Sequence, residues 1–431
     1  TGIAGMSAAW LLSQRHQVTV FERNERIGGH TNTVELDVKH KKVSIDTGFI
    51  VYNEKNYPNL VQLLKYLAVQ TQPAEMSFSV SLDQGKFEYG TRNINSFFGQ
   101  RSNILKPEFW IMLNDIRKFF REASKFDKGG MEATSITVGE FLTENDYGMS
   151  FIEKFILPMG AAIWSTKADD IKNQPLETFI KFFSSHDLLQ FTNQVQWQTI
   201  IGGSREYIRK ITAAYADKIK LNNGVVGILR KRDGIVLTDI HGEKYFFDQV
   251  IIASHADEAL RMLSDADATE KDILGAFKYN DSNVLLHSDP SLMPKRKNVW
   301  SSWNFLGNHD DGVSVTYWMN LLQSIDNEAP YFVSVNPKFE PNSKLMHKRF
   351  QYHHPYFNIK AWEAQKKLWE LQGKNRTWFC GSYFGFGFHE DALQAGLAVA
   401  EELGGVERPW KIGGNSTRIY RNNLLKRVRS D

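Results

Sequence analysis

The sequence predicts an α/β protein with a second, α+β domain, and three glycine-containing stretches far apart in the chain set the frame. Three observations lead there. The chain opens on "TGIAGMSAAWLL", a glycine turn running straight into a helix. Paired glycines start a second amphipathic stretch, "IIGGSREYIRKI". A third segment, "CGSYFGFGFHEDALQAGLAVA", leads from a strand through a glycine-rich loop into a helix of small residues. With 431 residues, 42% hydrophobic and 23% charged, the chain has material for two or three domains with large cores.

Gly2, Ile3, Ala4 and Gly5 supply the last two glycines of the strand–G-x-G-x-x-G–helix turn that binds dinucleotides. The strand and first glycine are expected immediately upstream of Thr1. Glycine at 2 and 5 lets the backbone approach a pyrophosphate, and the helix offers it free N–H groups. Residues 18–21 read as the next strand. Glu22 follows at its carboxyl end, 17 positions after Gly5, close to the roughly 20 at which a carboxylate accepts hydrogen bonds from an adenosine ribose. Beyond Arg23, "RIGGHT" adds a second glycine pair, Gly28 and Gly29, then His30 and Thr31.

These residues resemble flavoproteins of the amine oxidase superfamily, whose pattern after the ribose glutamate runs E-x-x-x-R-x-G-G-R-x-x-T. Glu22, Arg26, Gly28, Gly29 and Thr33 match, while His30 stands where that family has arginine. Histidine donates a hydrogen bond but carries full charge only when protonated, so phosphate binding leans on backbone amides here. The resemblance implies a Rossmann-like FAD-binding domain, with Gly2, Ile3, Ala4, Gly5, Glu22, Arg23, Gly28, Gly29, His30 and Thr31 around the cofactor. "IDTGFIV" resembles the family's I-D-x-G segment near the isoalloxazine ring, which adds Gly48, Phe49 and Ile50.

Gly202 and Gly203 resemble the segment that returns the chain to this domain. Short strands are expected at 225–230, 234–239 and 243–247, and a buried parallel strand at 250–253. The resemblance places Val226 against the adenine, with Val225 one step off. The last stretch resembles the closing FAD motif and assigns Gly381, Ser382, His389, Asp391 and Ala392 to the cofactor. Its helix would aim its amino terminus at the flavin N1–C2=O edge, stabilising charge on the reduced ring. Ser382 replaces the usual acid. Glu390 and Asp391 suit ordinary helix caps equally well, Glu390 especially. His389 is the candidate catalytic residue, as a donor to the reduced ring or on a substrate proton; a loop histidine bound to backbone is the competing reading.

The expected FAD-binding domain is thus discontinuous, over 1–80, 196–264 and 371–405. A substrate domain with a mixed or antiparallel sheet and helices takes 81–195 and 265–370, and 406–431 is a basic tail. In the substrate domain, helices are expected at 96–126 and 137–145, and strands through "NVWSSWNFLGNHDDGVSVTYWMNLLQSI" and "PYFVSVNP". Trp300, Trp303, Phe305, Tyr317, Trp318 and Met319 gather there. They suit an apolar substrate tunnel or a large core equally. "SFFGQRSNILKPEFWIMLNDIRKFFREASKF" reads as an amphipathic helix on the domain surface, with peripheral membrane contact as the alternative.

Composition narrows the partners. Arg418, Arg421, Lys426, Arg427 and Arg429 against Asp431 give the tail +4, leaving 47 basic against 48 acidic residues in a chain of net charge +3. That balance argues against nucleic acid. A frayed, solvated tail is favoured over one touching anionic lipid. No apolar run approaches the ~18 residues of a membrane span. The single cysteine, Cys380, excludes an internal disulfide and fits a reducing, cytoplasmic compartment as a buried, inert thiol. No metal site is expected: His186, His353 and His354 lack carboxylates at ligand spacing.

Within the superfamily, "GFHED" and "WSSWNFLG" look like bacterial oxidoreductases of the predicted NAD/FAD-binding type. A similar flavin domain precedes the methyltransferase of plant cyclopropane fatty acid synthases. The resemblance implies a lipid or fatty acyl partner. The leading expectation is an FAD-dependent oxidoreductase that moves hydride from a C–H bond of an apolar substrate to flavin N5, leaving a double bond. An amine oxidase using Lys278 with Phe386 and Phe388, a double-bond isomerase, and a non-catalytic flavin-binding partner of a lipid methyltransferase are the alternatives.

Overall fold

The structure, a computed structural model, describes residues 1–38, 40–127, 136–164, 168–186, 188–189, 195–308, 311–326, 328–412 and 418–421. Helix Ile3–Leu12 is apolar on every side, and every residue in it except Gly5 is buried. Such a helix has to be covered all round. Helix His389–Gly404 crosses it at Gly396, where a methyl group would overlap the Ala4 carbonyl oxygen and Ser7 Oγ. Two parallel strand pairs flank this contact: Val20–Phe21 with Ile219–Lys220, and Val250–Ile252 with Thr377–Phe379. Val225–Arg230, Ile235–Asp239 and Lys244–Phe247 form an antiparallel sheet beside them, within one residue of expectation. The expected strand at 18–21 shortens to two residues. The returning helix begins at Arg205, because Gly202 and Gly203, with φ of 82° and 90°, turn the chain ahead of it.

The second layer system is a seven-stranded mixed sheet. Its order is Met346–Tyr356, Lys278–His287, Phe332–Val335, Asp311–Trp318, Trp303–Asn308, Phe78–Leu82, Phe87–Gly90. Only the Trp303–Asn308/Phe78–Leu82 pair is parallel. Met319–Leu322, expected as strand, is helical. The expected helix at 96–126 divides into Ile94–Phe97, a 3-10 turn Arg101–Leu105, and Pro107–Asp127. Pro107 belongs in a first helical turn and disfavours helix before it, which sets the break. The long helix buries Phe109, Met112, Ile116, Phe119 and Ala123, spaced by three or four. Thr137 and Glu140 cap Val138–Glu144 reciprocally.

Two hydrophobic cores result, and they divide the chain differently from the expected domain boundaries. Val34, Ile45, Val51, Phe78 and Val80 pack with the second core despite their place in 1–80. Ile273, Leu274, Phe277, Phe357 and Leu368, placed in 265–370, bury into the first. The tail also departs from expectation. Trp410 stacks on Trp10 at 5.9 Å, Arg408 binds Glu401 and Asn59, and Arg418 reaches the Asn56 carbonyl and lies 3.6 Å from Asp391. Those aromatic and paired cationic groups give this part of the tail something to bury. Lys426, Arg427, Arg429 and Asp431 lie outside the described residues. No helix among the described residues is long and apolar enough to cross a membrane.

Candidate functional site

A cavity of about 2800 Å³ runs between the two cores, lined at one end by the opening glycine turn and elsewhere by aromatic side chains. At the glycine end, Gly2, Ile3, Ala4, Gly5, Glu22, Arg23, Arg26, Gly28, Gly29 and His30 all line it. Glu22 is buried; its Oε2 accepts from the Thr1 hydroxyl at 2.5 Å and its Oε1 from the Asn24 backbone and side-chain nitrogens, both at 2.9 Å. Gly28 and Gly29 take φ of 115° and 58°, and an added Cβ on Gly29 would lie 3.0 Å from Gly2 Cα. Only glycine permits that turn and that approach together. Arg23 pairs with Glu258 at 2.6 Å.

His30 forms the centre of a group the sequence reading missed. Its half-buried ring lies 5.0 Å from Tyr352, 5.4 Å from His354 and 6.5 Å from His255. Burial, followed by the neighbouring His354 and His255, pushes its pKa well below the usual range. His354 is pushed down to about 4 in the same way, and its Nδ1 lies 3.0 Å from Ser282 Oγ. His353 lies 2.6 Å from Asp281, a carboxylate that comes from the neighbouring strand and not from local spacing. All four histidines line the cavity. The adjacent pair on one strand was the available signal.

Gly48, Phe49 and Ile50 line the middle of the cavity, and the Phe49 amide donates to the His30 carbonyl at 2.9 Å. Phe49 stacks on His389 with ring centres 3.9 Å apart. His389 Nε2 is 2.8 Å from Tyr207 OH, which is 2.6 Å from Thr31 Oγ1. Burial pushes His389 down to about 3. It therefore stays neutral at physiological pH and can exchange hydrogen bonds, but holds no imidazolium proton to give.

Two assignments need correction. Thr31 does not line the cavity; its buried hydroxyl is used to hold Tyr207. Asp391 does not line it either. Its Oδ2 accepts from the Phe388 amide at 2.9 Å, capping its own helix. Burial raises its carboxyl pKa, and Arg418 opposes the rise. Glu390 caps a different helix: its oxygens accept from the amides of Asn59 and Leu60 in the first turn of Pro58–Tyr66, both at 3.0 Å. Gly381, Ser382 and Ala392 line the cavity. Val226 does so at a register shift in its sheet, where it has no partner on the neighbouring strand. Cys380 is fully buried, its thiol pushed up to about 12.

At the far end, Phe182 stacks against both His186 and Phe388, at 3.9 and 4.8 Å, and Trp303 lies edge-on to Tyr317 at 5.1 Å. Among the described residues, no Asp, Glu, Lys or Arg from positions 50–197 or 381–403 lines the cavity, while Lys348 and Arg349 line it on the strand paired with the one that carries Val284. Lys278 is exposed at the outer end of its strand and does not reach the cavity, whereas Phe386 and Phe388 do.

The family profile described as "Flavin containing amine oxidoreductase" matches residues 3–288. L-amino-acid oxidases of Pseudechis australis and Siganus canaliculatus are each 22% identical, over 263 and 302 residues, which is 55% and 66% of this chain and 45% and 55% of theirs. The chain spans about half the length of these curated relatives. Among solved structures, cyclohexylamine oxidase from Brevibacterium oxydans IH-35A superposes with a TM-score of 0.67 at 15% identity, covering 93% of this chain and 97% of its own. The CLA-producing fatty acid isomerase from P. acnes gives 0.63 at 13%, covering 93% and 96%. At such identities the likeness is one of fold.

Proposed function

Because the chain belongs to the flavin containing amine oxidoreductase family, we propose that it is an FAD-dependent oxidoreductase acting on an apolar, lipid-like substrate. The residues present fit the cofactor. Arg26 Nη1 and His30 Nε2 are buried without hydrogen-bond partners, as donors awaiting phosphate oxygens would be. The glycine turns leave backbone bare along the same wall. Glu22 would accept from the ribose hydroxyls. The first amides of helix Ile3–Leu12, the Gly28–Gly29 backbone, Arg26 and His30 would meet the pyrophosphate. Val226 would present its unpaired backbone to the adenine.

Bound FAD supplies hydride acceptance at N5. The chain's own contribution is placement and exclusion of water. Helix His389–Gly404 brings its first turn, and so its positive end, to the cavity wall. Phe49 and Tyr207 fix the His389 ring, and Phe182, Phe388 and Trp303 keep the far end dry. The observation that carries the reading is the aromatic lining of that end by Phe182, Phe388, Trp303 and Tyr317, which would desolvate a substrate ammonium or carboxylate.

Anaerobic mixing of the purified holoprotein with candidate substrates tests this. Long-chain acyl lipids should bleach the flavin absorbance, and L-amino acids should leave it unchanged. Bleaching by amines or amino acids, with acyl lipids inert, would install the amine oxidase reading, which the L-amino-acid oxidase relatives favour. Cofactor placement has its own check. Glu22→Ala should weaken FAD affinity by about tenfold or more, because buried ribose hydroxyls lose a charged acceptor. Titration of flavin-free protein with FAD, followed by fluorescence, reads the change.

A further inference from the structure

We propose that the surface formed by Ile94, Ile104, Leu105, Trp110, Ile111 and Met149 is a docking face for an anionic lipid bilayer. Large apolar side chains on a soluble surface are usually scattered singly; a contiguous group of them marks an interaction site. Here Leu105 is 86% exposed, Ile94 80%, Met149 61%, Ile111 53%, Trp110 50% and Ile104 41%. They are neighbours in space. Trp110 Nε1 donates to the Ile104 carbonyl at 2.8 Å, and Arg101 ties the Ile94 turn to the Arg101–Leu105 turn through Asn95 and the Phe98 carbonyl. A Cβ on Gly148, next to Met149, would touch Ile111 Cγ2 at 3.4 Å.

Charge selects the occupant. Arg101, Lys106, Arg117, Lys118, Arg121 and Lys125 lie between positions 94 and 125, against Glu108, Asp115 and Glu122. Asp115 is buried, and Glu108 is held by Lys154 at 3.1 Å. Along helix Pro107–Asp127 the outer face runs from Trp110 and Ile111 to Arg117, Arg121 and Lys125, all exposed. That is the make-up of a segment lying in a membrane interface, with apolar side chains in the acyl boundary and long cations at the headgroups. A protein partner of matching shape would need no such one-sided charge. Position supports the same occupant. Phe120, on the inner side of this helix, and Phe155, a few residues beyond Met149, both line the cavity. The face thus stands on the elements that wall the aromatic end. The proposal is independent of whether the substrate itself is a lipid.

Co-sedimentation of the full chain, as holoprotein, with extruded vesicles tests it. Vesicles of equal parts phosphatidylcholine and phosphatidylglycerol should bind it about tenfold or more tighter than phosphatidylcholine alone, and added salt should weaken that binding. The double variant Leu105→Glu, Ile111→Glu should lose the binding while keeping its thermal midpoint and flavin content, since both side chains already face water. A wild-type chain that stays in the supernatant with both vesicles overturns the proposal. So does a double variant that binds like wild type. So does a wild-type dimer in sedimentation velocity that the double variant turns into monomers, because the face would then join two copies.

Discussion

Replacing Gly396 by alanine should strip the protein of flavin and lower its stability by about 3 kcal/mol, the upper part of the usual range for overpacking. The helix containing Gly396 crosses Ile3–Leu12 so closely that an added methyl meets a backbone carbonyl, that of Ala4, along with Ser7 Oγ. A side chain could rotate away from such a clash; a carbonyl oxygen inside a helix can leave only if the helix moves. The helix that must move carries the Gly2–Gly5 turn at its front end, and the one it moves from carries His389. Separation therefore disturbs both ends of the proposed cofactor site in one step. Thermal unfolding and the ratio of flavin to protein absorbance read the two effects. Gly275→Ala is the matched control, because its new methyl would find no atom closer than 3.7 Å. If Gly396→Ala retains flavin and unfolds with the control, the close crossing does not hold the site together.

The same contact explains what the sequence could disclose. Glycines at 2, 5, 28, 29 and 396 answer local demands, a bare backbone or a positive φ, which residue identity reports directly. The family the chain belongs to was legible for that reason. Side chains with two competing uses were not. Thr31 and Asp391 sit in motif positions, yet a hydroxyl can pair with Tyr207 and a carboxylate can cap its own helix. Sequence does not rank those uses against a ligand. Glu390 shows the limit further, since the amides it satisfies lie 331 and 330 positions away. The division into two cores is hidden for a related reason. Which of two cores takes in Phe277 and Phe357 depends on partners distant in sequence. The histidines around His30 come from three distant segments and meet only in the fold.

Buried histidines also make the protein acid-sensitive, and its stability should fall steeply as pH drops below about 6.5. Burial pushes His186 and His389 down to about 3, and His287 and His354 to about 4, from an ordinary 6.5. Each is a base whose folded pKa is depressed. The unfolded chain takes up its proton first, so stability is complete above 6.5 and is lost as pH falls toward the folded value. The loss is roughly 1.4 kcal/mol per pH unit for each such group. Asp46 works in the opposite sense. Burial raises its carboxyl to about 6 from 3.8, so the folded state binds a proton before the unfolded one and gains stability as pH falls through that window. Glu390 and Asp391, raised by burial, add to the offset. These four histidines, joined by His30 and His255, which are also held below the usual value, still outweigh them, for a net loss on the order of 3 kcal/mol per pH unit between about pH 6 and 5. From about pH 6 to 4 the loss is about 6 kcal/mol, enough to unfold a domain at the lower end of the ordinary range of about 5–15 kcal/mol. Urea midpoints measured at steps from about pH 7 to 5 should show that slope, and His186→Phe should make it shallower by about one proton's worth. A midpoint that stays level across the window would mean these rings are hydrated and titrate as they do in the unfolded chain.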